Sequence, residues 1–166
     1  MKSKIIFILL SLCLILTFAG CGGSGSGGGE GGGGEGGGDV FVITDVTPRD
    51  GVEDFQVIAG KGIKFTSMGF EWVIQDKVEL NNNGTITDTL LLKMDGETAV
   101  NSVYTGTWNQ SGTTINVHFT KEKDKIAGTT KDIDENGSAE LSADGNTLSN
   151  KETGGEIPFK YIYKKQ

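Results

Sequence analysis

The chain has 166 residues and a formal net charge of −7 at pH 7, with 22 acidic against 15 basic side chains. An acidic surface argues against nucleic acid and against adsorption on anionic lipid. Two cysteines and one histidine are too few for transition-metal sites built from clusters of those residues.

The first segment, MKSKIIFILLSLCLILTFAGC, sets Lys2 and Lys4 ahead of an uncharged apolar stretch from Ile5 to Phe18, followed by small residues. A positive start and about 14 apolar residues make an export signal, short of the roughly 20 that a spanning helix needs. Residues 1–20 are therefore expected to be a signal peptide. Cys13 leaves with it, so Cys21 is the single cysteine of the expected mature chain. A lone thiol in an oxidising compartment is a hazard unless something consumes it.

The stretch FAGC, with Ala19 and Gly20 directly before Cys21, resembles the lipobox of bacterial lipoproteins, although the position three before the cysteine, usually Leu there, is Phe18. The resemblance implies that Cys21 is lipidated and that the protein associates with the membrane through acyl chains. Each buried CH₂ contributes roughly 0.8 kcal/mol, so two or more chains hold a protein stably. Gly22 follows the cysteine where an Asp would signal inner-membrane retention. The implied location is the cell envelope: the outer membrane in a Gram-negative cell, the cell surface otherwise. The competing reading is cleavage after Ala19 by the ordinary signal peptidase, which gives a freely secreted protein.

Residues 21–38 comprise Cys21 and a run of Gly with two serines and two glutamates, Glu30 and Glu35. With no apolar surface to bury, the run is expected to be a disordered tether. Its mean end-to-end distance is roughly 20–25 Å and its drawn-out length about 60 Å. Without Lys2 and Lys4, 13 basic residues remain against 22 acidic ones, a net of −9.

Residues 39–166 suit a single domain, with 39–60 read as one or two extra N-terminal strands and 61–166 as the main meander. No window repeats apolar residues at helical spacing. Turn signals recur instead: PRDG (48–51), NNNG (81–84), MDG (94–96), QSG (110–112), DENG (134–137), ADGN (143–146) and TGG (153–155). Alternating β-branched and aromatic runs lie between them, which predicts an all-β antiparallel meander closing into a small barrel or sandwich. Several strands can be phased. Ile115, Val117 and Phe119 share one face and His118 the other, while Tyr104, Gly106 and Trp108 align. Ile157, Phe159, Tyr161 and Tyr163 align as well, and Ile86, Leu90, Leu92 and Met94 share a face that Asp88 interrupts.

This meander, with its Gly106-Thr107-Trp108 triplet and its succession of DG and NG turns, is similar to the lipocalin-like, calycin-type domains of bacterial lipoproteins over about residues 70 to 165. In lipocalins the Gly-x-Trp motif lies on the first strand, where the Trp plugs the barrel floor. Here it falls in mid-domain, so the closed end stays open, with Trp72 as an alternative plug. The likeness implies either a filled core or an interior that holds one small ligand. The candidate ligand-contacting residues are Trp72, Tyr104, Trp108, Phe119, Tyr161 and Tyr163, because buried tyrosine hydroxyls need partners and can orient a ligand.

Chemistry is sparse. There is no Gly-x-Ser-x-Gly, phosphate loop or dinucleotide fingerprint, and the phase of its strand turns His118 outward with no acid partner identifiable from sequence. No enzymatic activity and no cofactor are expected. In DIDENG, Asp132, Asp134 and Asn136 before Gly137 reproduce the first half of a calcium loop, but the twelfth position, where a bidentate Glu is needed, is Ala143. The competing reading is a hairpin turn at Asn136-Gly137. The expected function is a lipid-anchored envelope barrel that binds an apolar or amphipathic small molecule. The alternative is a structural or surface-interaction lipoprotein with a filled core.

Overall fold

A computed structural model describes residues 38–150 and 160–166, so the signal peptide, Cys21, nearly all of the Gly-rich run, the TGG turn, Ile157 and Phe159 lie outside the described residues. The described residues form ten antiparallel strands and no helix: β1 (Asp39–Thr47), β2 (Val52–Ile58), β3 (Gly62–Ser67), β4 (Phe70–Leu80), β5 (Thr85–Met94), β6 (Glu97–Ser111), β7 (Thr114–Asp124), β8 (Thr129–Leu141), β9 (Thr147–Asn150) and β10 (Lys160–Lys165).

Eight of these close into a barrel. From β4 to β10 each strand pairs with the next, and β1 then bonds to β10 on one side and to β4 on the other. The β2–β3 hairpin stands outside that ring. It attaches to the first half of β4, where Ser67 pairs with Phe70 and Ile63 with Ile74, while β1 takes the second half, from Val42 opposite Lys77 to Asp39 opposite Leu80. The stretch 39–60 therefore splits: β1 is barrel wall and β2 is the added strand.

Turn chemistry sets the registers. At the β5–β6 hairpin Asp95 and Gly96 have consecutive positive φ angles of 51° and 80°, the pattern of a two-residue turn whose twist matches the strands it joins. The Asn81–Gly84 loop is closed by Gly84 N–H donating to the Asn81 carbonyl at 3.0 Å and Asn81 N–H to that of Thr85 at 2.9 Å. Leu80 is thereby set opposite Ile86, and the pairing runs on to Trp72 opposite Met94.

The turn expected at DENG is not formed. Residues 134–137 run through the middle of β8, with Asn136 opposite His118 and Gly137 opposite Val117. The local preference of Asn-Gly for a turn is overridden because β7 needs a full-length partner and Ile133, Ala139 and Leu141 on β8 pack against the core.

The core lies on the inner face of the sheet. Phe41, Ile43, Ile63, Leu92 and Ile115 are fully buried, and Tyr104 meets Phe119 edge-on with ring centroids 5.9 Å apart. Thr120 has no place in the register with β6, because Lys121 pairs with Thr105 and Phe119 with Gly106. The bulge resets the alternation, so that Phe119 and Glu122 both face inward.

Gly106 lies at this bulge, where a Cβ would stand 1.9 Å from the His118 carbonyl oxygen. No side chain fits without moving β7. Gly106→Ala is expected to destabilise the domain by about 1–3 kcal/mol, the range for forced overpacking. Urea unfolding checks this, and an unchanged midpoint would refute the close approach.

Candidate functional site

All six aromatic candidates belong to the core or pack against it: Tyr104, Phe119 and Tyr163 are buried, and Trp72, Trp108 and Tyr161 are partly buried. The polar handles of four of them are already engaged by the protein. The Trp108 indole donates to the Asn81 carbonyl at 3.0 Å and the Trp72 indole to that of Ser67 at 3.2 Å. These bonds fix the two indoles towards opposite ends of the barrel. The Trp108 backbone N–H also donates to the Gly84 carbonyl, which ties Trp108 to the loop over its end. The Tyr163 hydroxyl donates to Asp76 Oδ2 at 2.7 Å, and that of Tyr104 to Glu122 Oε1 at 3.4 Å. Two of the three tyrosines that sequence offered as ligand-orienting groups, Tyr104 and Tyr163, are turned towards acids of the barrel itself.

Those acids form a polar band across the interior. On β4 the inward face reads Trp72, Ile74, Asp76, Val78, Leu80, and on β5 it reads Ile86, Asp88, Leu90, Leu92. The register places Val78 opposite Asp88 and Asp76 opposite Leu90, so the two aspartates are diagonal neighbours on one wall. Asp88 is directly opposite Tyr104 on β6, which in turn faces Glu122 on β7. Glu122 is well satisfied, by Ser102 Oγ at 3.1 Å and by the Lys131 ammonium at 2.7 Å. Asp76 and Asp88 are not. Each has a fully buried Oδ1 atom with no hydrogen-bond partner among the described residues other than the neighbouring carboxyl.

Burial therefore governs their protonation. Desolvation raises the Asp88 carboxyl well above its ordinary value, and the neighbouring Asp76 charge raises it further. Asp76 is also raised by desolvation, against the opposing hydrogen bonds from Asp88 and Tyr163. Desolvation, followed by the two aspartate charges, pushes the Tyr163 hydroxyl well up, so it remains a donor. No cation is among the influences on either aspartate. Two carboxyls this close share a proton, with Asp88 the protonated member.

Both residues keep some exposed surface even though their Oδ1 atoms have none. Leu90 and Trp72, on the same inner faces, are likewise half-buried, whereas Ile74, Val78, Ile86 and Leu92 on those strands are closed off.

The DIDENG acids lie elsewhere. Asp132, Asp134 and Asn136 alternate along β8, where strand geometry spaces residues i and i+2 about 6.6 Å apart. Asp134 meets His118 at 2.8 Å and Asp132 meets Lys121 at 3.0 Å, both in exposed cross-strand pairs. The ligands of a calcium loop converge on one ion, and a strand does not bring these three together. No group of three or more His, Cys, Asp or Glu among the described residues is placed to hold a metal. His118 thus has the acid partner that sequence did not reveal, on the outer face of the barrel.

The signal that would have found the buried pair is in the sequence. Asp76 breaks the apolar alternation of WVIQDKVEL as Asp88 breaks that of ITDTLLL, and the intervening NNNG loop sets both on one wall. Compared with known proteins, the chain matches no family model, no curated protein and no solved structure.

Because both carboxyls are raised in the fold, the stability they contribute is fully present below the ordinary Asp value of about 3.9 and is lost as pH rises through their folded values. Asp88→Asn keeps a donor towards Asp76 and removes an ionisable group. The variant is expected to gain stability over the parent at pH 8 and to lose that advantage at low pH. Urea midpoints across pH 4–8 read this, and parallel profiles for the two proteins would contradict the shared buried proton.

Proposed function

We propose that the protein is a lipid-anchored, non-enzymatic barrel of the cell envelope that binds an apolar or amphipathic small molecule in its interior. One observation carries the reading: inside a closed, largely apolar barrel lies a pair of buried carboxyls whose partners among the described residues are each other and one tyrosine, with no cation. Burying acids without a counter-charge costs stability, and a purely structural core gains nothing by keeping them. The aromatic side chains around the interior support the same reading, in the manner of lipocalin-like barrels that hold one ligand. Cys21 and the export signal support attachment through acyl chains, at the outer membrane of a Gram-negative cell or otherwise at the cell surface.

The second reading, a structural or surface-interaction lipoprotein, is favoured by a different observation. Among the described residues β2 pairs only with β3, and Val57 on that edge strand is exposed. Such an edge can accept another strand.

The anchor and the ligand are tested separately. In cells, Cys21→Ser is expected to move the protein from the membrane fraction to the soluble fraction, and a parent protein that is already soluble would remove the anchor. The exported Cys21→Ser chain is expected to brighten N-phenyl-1-naphthylamine saturably, with displacement by extracted envelope lipids. A well-folded chain that takes up no apolar probe leaves the second reading in place.

A further inference from the structure

We propose that the Asp76–Asp88 pair is a proton-dependent clasp on the closure of the barrel: while the two carboxyls share a hydrogen, β1 stays laddered to β4, and loss of that hydrogen parts the two strands. The clasp works without a bound molecule, so it goes beyond the binding reading and does not rest on it. Its position is set where β4 changes partner. One edge of β4 is held by β3 from Phe70 to Ile74 and by β1 from Lys77 to Leu80, so Gln75 and Asp76 have no place in either register. Asp76 therefore lies at a fork in the wall. Asp88 is diagonal to it on β5, a strand laddered to β4 on one side and to β6 on the other.

Two hydrogen bonds hold Asp76 at the fork. Tyr163 pairs with Ile43 on β1, and its hydroxyl donates to Asp76 Oδ2 at 2.7 Å, which links β10 to β4 across the inner face of β1. The second is the bond between Asp76 and the Asp88 carboxyl. A hydrogen bond between two carboxyls needs a proton on one of them. With that proton gone, two like charges stand side by side out of reach of water, since both Oδ1 atoms are fully buried. The surroundings do not offset them. β1, β3, β4 and β5 bring apolar side chains to the interior. β6 brings Tyr104, opposite Asp88 and with its hydroxyl on Glu122, while β10 brings Tyr161 and Tyr163. Glu122 on β7 and Glu135 on β8 lie beyond Tyr104, and the cation beside them, Lys131, is engaged by Glu122.

Relief of the repulsion requires a carboxyl to reach water. β5 is held on both edges and keeps Asp88 in place, so Asp76 is the one to move, and the adjoining β1–β4 ladder, from Asp39 opposite Leu80 to Val42 opposite Lys77, yields first. Linkage runs in the same direction. Opening the ring lets both acids titrate as surface groups, so conditions that ionise them favour the open ring. Burial raises both carboxyls in the closed ring, so closure is complete in acid and is lost as pH rises through the folded values.

The test is hydrogen exchange of the exported Cys21→Ser chain, read by mass spectrometry on peptides and corrected for the intrinsic pH dependence of exchange. Between about pH 5 and about pH 8, peptides that cover Asp39–Val42 and Lys77–Leu80 are expected to lose protection by about 10-fold or more, the factor that one pKa unit supplies. Peptides within β6 and β7 are expected to keep theirs. In Asp88→Asn, and in Asp76→Asn should the first variant fold poorly, the two segments are expected to show the same protection at both pH values. Equal protection of the parent at both pH values overturns the inference. A loss spread evenly over all strands overturns it too, because that marks global unfolding, and so does a local loss that persists in a folded variant.

Discussion

The structure depends on β1 having a partner on each edge. Phe41 lies between Val78 on β4 and Lys165 on β10, so a single short strand converts a curved sheet into a closed ring. Closure pairs the outer edge of β1 with the second half of β4 and leaves β2 as an edge. It also sets the dielectric inside. Without β1 the wall that carries Asp76 would open to water, and its carboxyl would titrate like any surface acid.

Once the ring is closed, the interior makes two opposing demands. The apolar cluster around Phe41, Ile63 and Leu92 is what holds the fold. The aspartate pair works against it, since its charge lies where solvation is poorest and its strongest local donor is one tyrosine. The barrel solves a similar problem at Glu122 by ordinary means, with a hydroxyl on one oxygen and Lys131 on the other. The two places contrast: Glu122 has hydroxyls and a cation, whereas the aspartates have each other and one tyrosine.

Much of the fold was legible because its elements are local. The turns at 48–51, 81–84, 94–96, 110–112 and 143–146 all join strands, and the alternation of β5, β6, β7 and β10 placed the right side chains inward, Asp88 among them. Elements decided by distant pairing were harder to read. β1 looked like an appendage because its partners lie in β4 and at the far end of the chain. DENG looked like a turn because nothing local shows that β7 requires its residues as a ladder partner. The outward placement of His118 was readable, but Asp134 was not, since their contact crosses strands with a bulge between them. For the site, one half of the acid pair was visible as a broken pattern. Its meaning needed the register that brings Asp76 alongside.

Gly38 is the last residue before β1, and it does more than end the Gly-rich run. A Cβ there would stand 2.1 Å from the Leu80 carbonyl oxygen and 2.6 Å from the Asn81 Cα, so the chain enters the barrel pressed against the loop over Trp108. The Gly-rich run therefore joins the domain at that pole, and whatever precedes it in the chain is attached opposite the Asp95-Gly96 and Lys125–Gly128 turns.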